Sequence, residues 1–269
     1  MNLLVKSKAE GRDVVALAEG VLEYVGFSAH RLTVGERLPV SCGDKEICLV
    51  LLSGRVSVSG ESPGQGSFSW ENIGDRQSVF EEKSPFAVYL PPDSQAQVTA
   101  LSAVQIAVCA APGDRSKGLP ARLIRPETMK RSVRGKSANT RYVCDILPDS
   151  EPAHSLLVVE VRTPSGHSSS YPPHKHDKDD LPHESFLEET YYHQISPPQG
   201  FIFQRVYTDD RSIDQAMAVE NNDLVTVPKG YHPVSVPYGY ESYYLNVMAG
   251  PKRAWQFHND PEHQWLLDL

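Results

Sequence analysis

The chain has 269 residues, of which 40% are hydrophobic and 22% charged, as in ordinary globular proteins and unlike disordered ones. Its formal net charge is −8, which disfavours a protein that binds nucleic acid through phosphate contacts. No apolar run approaches the ~20 residues that a membrane-spanning helix needs. We therefore expect a small-molecule ligand, with neither nucleic acid nor membrane as a partner.

The amino-terminal segment and the cysteines indicate the compartment. The apolar stretch before Lys6 is too short for the hydrophobic part of a signal peptide. The four cysteines form no CxxC pair and are too few to cross-link a chain of this size. We expect a reduced, cytoplasmic protein.

Short β-type segments fill most of the sequence. Runs rich in Val, Ile, Tyr, Phe and Ser alternate with turns supplied by 21 prolines and 18 glycines. The clearest runs are 47–60, 86–92, 96–110, 154–163, 201–207, 222–230 and 241–250. Such spacing predicts an all-β sandwich or barrel. Only residues 13–23 have a helical pattern, and Gly20 interrupts it.

The sequence predicts two β-rich halves. Residues 116–140 are rich in Pro, Gly, Arg and Lys, so we interpret them as a linker between an N-terminal domain (1–115) and a C-terminal domain (141–269). Residues 86–100 align with 223–237 as a strand, a proline turn and a second strand, which places Gln95 opposite His232. This indicates a duplicated β-domain in which only the second copy carries chemistry.

Histidine is concentrated in the second half, where nine of the ten histidines follow residue 150. His174 and His176 would project from the same side of a strand. A carboxylate from the next strand, Glu188 or Glu189, would be a third metal ligand, since strand alternation alone does not decide between them. His232, after a Pro-Gly turn, would be the fourth. Three histidines and one carboxylate leave room for water or substrate on a divalent ion.

Other polar groups near this motif have simpler interpretations. We expect His183 and His193 to lie in loops or behind the ligands. The segment KHDKDD (175–180) is expected to be a solvated loop, with a lid over the site as the alternative. An HxH pair by itself is more often a pair of surface histidines, so the metal prediction depends on the whole set.

Several motifs of the second half resemble one family of the cupin superfamily, the 5-deoxy-glucuronate isomerases of bacterial myo-inositol catabolism. They are YPPHKHD (171–177), LEETYYH (187–193), PPQGFIFQRVYTDDRSIDQAMAVEN (197–221), VPKGYHPV (227–234) and YYLNVMAGPKR (243–253). In most cupins three or four residues separate the HxH pair from the glutamate, whereas here twelve lie between His176 and Glu189. The first half is only generically similar to cupins.

The resemblance implies a bicupin, two cupin-type β-barrels with a degenerate N-terminal barrel, and a metal held by His174, His176, Glu189 and His232. Glu189 is preferred because related enzymes place the glutamate ligand directly before a hydrophobic-aromatic strand. The implied reaction is the aldose–ketose isomerisation of 5-deoxy-D-glucuronate to 5-dehydro-2-deoxy-D-gluconate. Zinc or manganese is the foremost candidate, and iron, nickel and cobalt also suit this ligand set.

The implied reaction needs further groups. A divalent ion would stabilise charge on the carbonyl oxygen, and a side chain would transfer the proton. The candidate catalytic residues are Glu188, Tyr191 and Tyr244. The candidate cations for the substrate carboxylate are Arg205, Lys229 and Arg253. Each of the six has a purely structural role as its alternative.

Three other interpretations remain open at this point. The same barrel and ligands could belong to an iron dioxygenase, because fold does not determine reaction. A non-enzymatic sugar-acid-binding cupin is the second, although we find no helix-turn-helix pattern for a sensor that acts on DNA. A metal-free structural β-protein is the third. A homodimer is compatible with any of them.

Overall fold

The computed structural model describes residues 2–269, and its 25 strands confirm the all-β prediction. Four short 3-10 helices accompany the strands, at Arg115–Lys117, Pro126–Thr128, Ser137–Asn139 and Gln264–Asp268. The helical pattern of residues 13–23 was misleading, since Asp13–Ala16 is a strand that buries Val14 and Val15. Gly20 follows in a turn with a φ of 79°, a conformation that would end a helix.

The first half supplies strands to two facing sheets. Its strands are β1 (Leu4–Val5), β2 (Asp13–Ala16), β3 (Gly26–Leu32), β4 (Arg37–Ser41), β5 (Lys45–Ser53), β6 (Val56–Ser62), β7 (Gly66–Ile73), β8 (Ala87–Leu90), β9 (Gln95–Ala100), β10 (Val104–Pro112) and β11 (Arg122–Ile124). One sheet has the order β11-β8-β5-β10-β3-β2, and the other β4-β9-β6-β7. Between them lies an aliphatic core that includes Ile47, Leu49, Leu51 and Leu90.

The second half repeats this arrangement. Its strands are β12 (Lys130–Arg134), β13 (Arg141–Leu147), β14 (Leu157–Thr163), β15 (Ser168–Ser169), β16 (His174–Lys175), β17 (Asp177–Asp180), β18 (Glu184–Phe186), β19 (Glu188–Ser196), β20 (Phe201–Tyr207), β21 (Asp214–Glu220), β22 (Leu224–Val227), β23 (Val234–Ser235), β24 (Glu241–Ala249) and β25 (His258–Asn259). The sheets run β1-β22-β19-β24-β14-β13-β12 and β15-β23-β20-β21, with two-stranded ribbons β16-β25 and β17-β18.

The two large sheets also pack against each other. Their outward faces share one buried cluster, in which the rings of Phe27 and Tyr192 lie 5.4 Å apart. Because side chains alternate along a strand, β19 buries one face in its own barrel and the other in this interface. Strand β1 crosses from the first half to pair with β22.

The segment 116–140 contributes strands to both halves. Strand β11 pairs with β8 of the first half, and β12 pairs with β13 of the second. The domain boundaries drawn from composition stay a prediction. Across residues 2–269, no helix has the length and apolar character needed to cross a lipid bilayer.

Candidate metal centre

His176 enters the second barrel just after β16. Its ring is buried, and its Nδ1 lies 2.9 Å from the backbone oxygen of Leu187. This hydrogen bond favours the tautomer in which Nε2 is free to accept a metal ion. That Nε2 points at Glu189, 3.1 Å from its Oε2.

Glu189 and His232 complete a group of three. Glu189 lies on β19 between Met248 of β24 and Val227 of β22, and its Oε2 is 3.2 Å from Nε2 of His232. The Nδ1 of His232 lies 2.8 Å from the backbone oxygen of Gly230. The ligand atoms of His176, Glu189 and His232 all lie within 4.8 Å of one another.

Gly230 makes the turn before His232 possible. Its φ is +96°, and a Cβ there would lie 2.5 Å from the backbone oxygen of Tyr207. Only glycine satisfies both restrictions. The backbone oxygen of Gly230 is then free to accept from the imidazole two residues later.

The chemistry of these three groups fits a divalent ion. Nε2 of His232 is buried and has no hydrogen-bond partner of good geometry in the described chain, a cost that a metal bond would remove. Burial lowers the pKa of His232 to about 3, so its ring is neutral at pH 7. For His176, burial acts in the same direction, but the hydrogen bond and charge of Glu189 outweigh it and raise the pKa. Two imidazoles and one carboxylate form a normal set for zinc, manganese or iron.

His174 lies beside this group. Its ring centroid is 4.8 Å from that of His232 and 6.4 Å from that of His176, and Phe257 covers it at 4.8 Å. Its Nδ1 is 3.4 Å from the backbone oxygen of Pro172. Burial, then His176, lowers the pKa of His174 to about 3. The structure therefore brings three predicted ligands together and places the fourth next to them.

Glu188 and Glu189 point to opposite faces of β19. The Glu188 carboxylate accepts backbone N–H bonds from Glu23, Tyr24 and Val25 of the first half, at 3.0, 2.6 and 3.4 Å. The structure does not bring this candidate proton shuttle to the metal group. Glu189 occupies the barrel interior instead.

Tyr191 and Tyr244, the two other catalytic candidates, lie inside the barrel. The Ser170 hydroxyl is 2.9 Å from the Tyr191 hydroxyl and 3.5 Å from that of Tyr244. The ring centroid of Tyr191 is 5.6 Å from that of His232. Burial raises the pKa of both phenols, which keeps them protonated and able to donate.

The three predicted substrate cations lie elsewhere. Arg205 forms a two-bond pair with Asp214 on the exposed side of β20, at 2.8 Å for each bond. The Arg253 guanidinium donates to four backbone oxygens. Lys229 is exposed at the turn before His232. None of these positions places a cation in the barrel interior.

Two buried polar groups lie close to the ligands: Lys175, which the sequence did not predict there, and His193, expected in a loop or behind the ligands. Lys175, predicted to be in a solvated loop, is 1% exposed and contacts Asp177 at 2.6 Å and Glu184 at 3.2 Å. His193 is fully buried and bonds Gln204 at 3.0 Å. The only sequence signal for either is its closeness to the HxH and glutamate motifs.

Known proteins are similar to this chain over nearly its whole length. The model of the KduI/IolB family matches residues 3–266. The 5-deoxy-glucuronate isomerase of Geobacillus kaustophilus is 55% identical over 261 residues, which is 96% of this chain and 92% of that protein. The 5-deoxy-glucuronate isomerase of Bacillus subtilis strain 168 is 52% identical over 255 residues, 94% of this chain and 92% of that one.

Two solved structures are similar to this chain over nearly its whole length. An IolB-like protein from Salmonella typhimurium LT2 superposes with a TM-score of 0.93 and 48% identity, covering 99% of each chain. Oxalate decarboxylase from Lactobacillus farciminis has a TM-score of 0.66 at 12% identity, covering 96% of this chain and 88% of that one. The second match concerns the fold alone, and it agrees with the predicted pair of cupin barrels.

Proposed function

The chain belongs to the KduI/IolB family, and on that premise we propose that it is an isomerase that converts 5-deoxy-D-glucuronate into 5-dehydro-2-deoxy-D-gluconate with the help of a divalent metal ion. The observation that carries this proposal is the buried His176–Glu189–His232 group, in a chain 52–56% identical to proteins named 5-deoxy-glucuronate isomerase. His174, whose ring centroid lies 4.8 Å from that of His232, would be the fourth ligand. The imidazole and carboxylate donors of this set suit zinc, manganese or iron.

The reaction moves one proton between adjacent carbons and one between their oxygens. When bound, a divalent ion would act as a Lewis acid on the carbonyl and neighbouring hydroxyl oxygens. The chain itself would provide three conditions for this reaction: oriented histidine rings, an interior that excludes water, and a proton donor. Backbone oxygens hold the histidine rings so that Nε2 faces the substrate side. The aliphatic barrel wall excludes water, which strengthens electrostatic interactions inside.

The third condition is a proton donor. The Tyr191 ring lies 5.6 Å from that of His232 and its hydroxyl bonds Ser170, so a protonated phenol lies next to the ligand group. Tyr244 lies behind it, with ring centroids 4.9 Å apart. We assign Tyr191 as the group that donates to the substrate oxygen and Tyr244 as its support.

Elemental analysis and a proton NMR time course with 5-deoxy-D-glucuronate test the proposal together. The wild-type protein should bind about one divalent ion per chain and convert the substrate. Glu189→Gln should lose the ion and slow conversion by at least about 10²-fold, because it removes the one charged ligand of the group. The matched control is Glu61→Gln, at an exposed position of the first half.

His174→Ala tests the fourth ligand. It should weaken metal binding by about 10–100-fold without abolishing it, since three donors remain in place. Metal content and conversion unchanged in both Glu189→Gln and His174→Ala would refute the metal site. A protein that binds the ion but leaves 5-deoxy-D-glucuronate unchanged would refute the reaction.

A further inference from the structure

One arginine on the inner face of the second barrel, Arg141, has no acidic partner among residues 2–269. Arg141 begins β13 and shares the face of Val143, which is part of the barrel core. Its Nη1 donates to the backbone oxygen and to the side-chain oxygen of Asn139, at 3.1 Å each. Within residues 2–269 no carboxylate forms an ion pair with it, and its Nε and Nη2 make no hydrogen bond.

A second arginine lies next to it. Arg134 of β12 is directly opposite Arg141 in the antiparallel register, so both side chains emerge on the same face. Like charges in such pairs repel each other and are destabilising. Arg134 forms an ion pair with Asp145 at 3.7 Å. The two guanidinium groups therefore retain one uncompensated positive charge.

The Arg141 guanidinium is close enough to two phenols beside the candidate metal centre to interact with them. Arg141 interacts electrostatically with the phenols of Tyr244 and Tyr191, which lie inside the barrel. The guanidinium thus lies near the ligand group but not on it.

The loop that orients Arg141 is tied to the metal-binding segment. Asn139, which accepts both hydrogen bonds of Arg141, donates through Nδ2 to the backbone oxygen of Tyr171 at 3.0 Å. Tyr171 is three residues before His174.

We infer that Arg141 binds the carboxylate of the sugar-acid substrate, while the metal end of the barrel holds the carbonyl and hydroxyl oxygens at the other end of the same molecule. This inference rests on the proposed function. The free Nε and Nη2 edge of a guanidinium matches the two oxygens of a carboxylate, and Asn139 holds the plane of the group. The substrate carboxylate also supplies the negative charge that the Arg134–Arg141 pair lacks. The three cations predicted from sequence do not serve as the carboxylate-binding group, because each is paired or exposed. They are Arg205, Lys229 and Arg253.

The experiment compares an acid with its neutral analogue. The metal-loaded wild type, Arg141→Gln, Arg141→Lys and the exposed control Arg37→Gln are assayed with 5-deoxy-D-glucuronate and with its 6-carboxamide. Arg141→Gln should lower kcat/KM for the acid by about 10²-fold, because a charged two-bond contact is lost. For the carboxamide the change should be under about threefold. Arg141→Lys should recover part of the loss, and metal content should be equal in all four proteins.

Binding by calorimetry separates this inference from the isomerase proposal. Zinc-loaded wild type and both Arg141 variants are titrated with D-glucuronate and D-glucuronamide, which requires no turnover. Arg141-dependent preference for glucuronate supports the carboxylate site even where 5-deoxy-D-glucuronate is not converted. Equal losses for acid and amide, or an acid preference unchanged in both variants, would overturn it. Circular dichroism of each variant shows that the barrel is folded, and Arg141→Lys carries the test where Arg141→Gln does not fold.

Discussion

Glu46 and Glu188 occupy equivalent positions in the two halves, and each binds the backbone of the other half. Glu46 lies opposite Ala111 in the β5–β10 pair, as Glu188 lies opposite Ala249 in the β19–β24 pair. Glu46 accepts N–H bonds from residues 154–156, just before β14, at 2.7, 2.5 and 2.6 Å. Glu188 accepts three from residues 23–25, just before β3. The duplicated halves are thus joined by two reciprocal carboxylate contacts.

Glu188→Gln should destabilise the protein by about 2–4 kcal/mol while it leaves metal content unchanged. The amide keeps one acceptor oxygen, but its NH2 group would face backbone N–H donors that then have no acceptor. Denaturant unfolding with and without the substitution measures the free energy, and Glu61→Gln is the exposed control. A metal-free but fully stable Glu188→Gln protein would place this residue at the metal rather than at the interface.

The internal repeat explains which parts could be predicted from sequence. The alignment of residues 86–100 with 223–237 matches the structure, since β8 and β22 border β5 and β19 respectively. Leu90 pairs with Ile47 where Val227 pairs with Glu189, so an isoleucine stands in the first barrel where the second has its carboxylate. Strand patterns and a proline turn are local features, and local features are readable in a sequence.

The choice between Glu188 and Glu189 could not be made in the same way. Because side chains alternate along a strand, Glu188 and Glu189 face opposite sides of β19. Both faces of β19 are buried, however, one in the barrel core and the other between the two halves. The sequence therefore does not distinguish a polar residue on one face from a polar residue on the other. The partners of the arginines are equally invisible, because Asp214 and the carbonyls around Arg253 reach them only through the folded register.

Asp177→Asn should weaken metal binding by about 10–100-fold. Its Oδ1 accepts from Lys175 at 2.6 Å and its Oδ2 accepts from the backbone N–H of Gly230 at 3.0 Å. It therefore links the segment next to His176 to the turn that precedes His232. Competition with a chelator measures the affinity, and Asp179→Asn, at an exposed neighbour, is the matched control. Equal affinity in both variants would mean that the turn is positioned without Asp177.

The metal-free protein should lose stability in acid partly through His193. Burial lowers the pKa of His193 to about 4, against about 6.5 in the unfolded chain. Between these values the unfolded state binds a proton that the folded state does not, so the free energy of unfolding falls as the pH falls from 6.5 to 4. One such proton contributes a slope of up to about 1.4 kcal/mol per pH unit.

His193→Gln should reduce the pH dependence of the free energy of unfolding by up to about 1.4 kcal/mol per pH unit, the contribution of one proton. The measurement is urea unfolding of the metal-free wild type and variant at several pH values from 4 to 7. The same substitution at exposed His183 removes one imidazole without removing a buried one. Identical slopes for the two variants would contradict the role of burial at His193.

The two tyrosines at positions 191 and 192 give a direct test of proton donation, because they are neighbours on opposite faces of one strand. The Tyr191 hydroxyl lies in the barrel with Ser170, whereas that of Tyr192 bonds Gln105 and Asn222 away from the metal group. Tyr191→Phe should lower kcat by about 10²–10⁴-fold, the usual contribution of a positioned acid or base. Metal content and KM should change little, since the phenol is not a ligand and the ring remains. Tyr192→Phe removes the same atom from the other face and should retain activity, so equal losses in both variants would show that the effect is structural rather than catalytic.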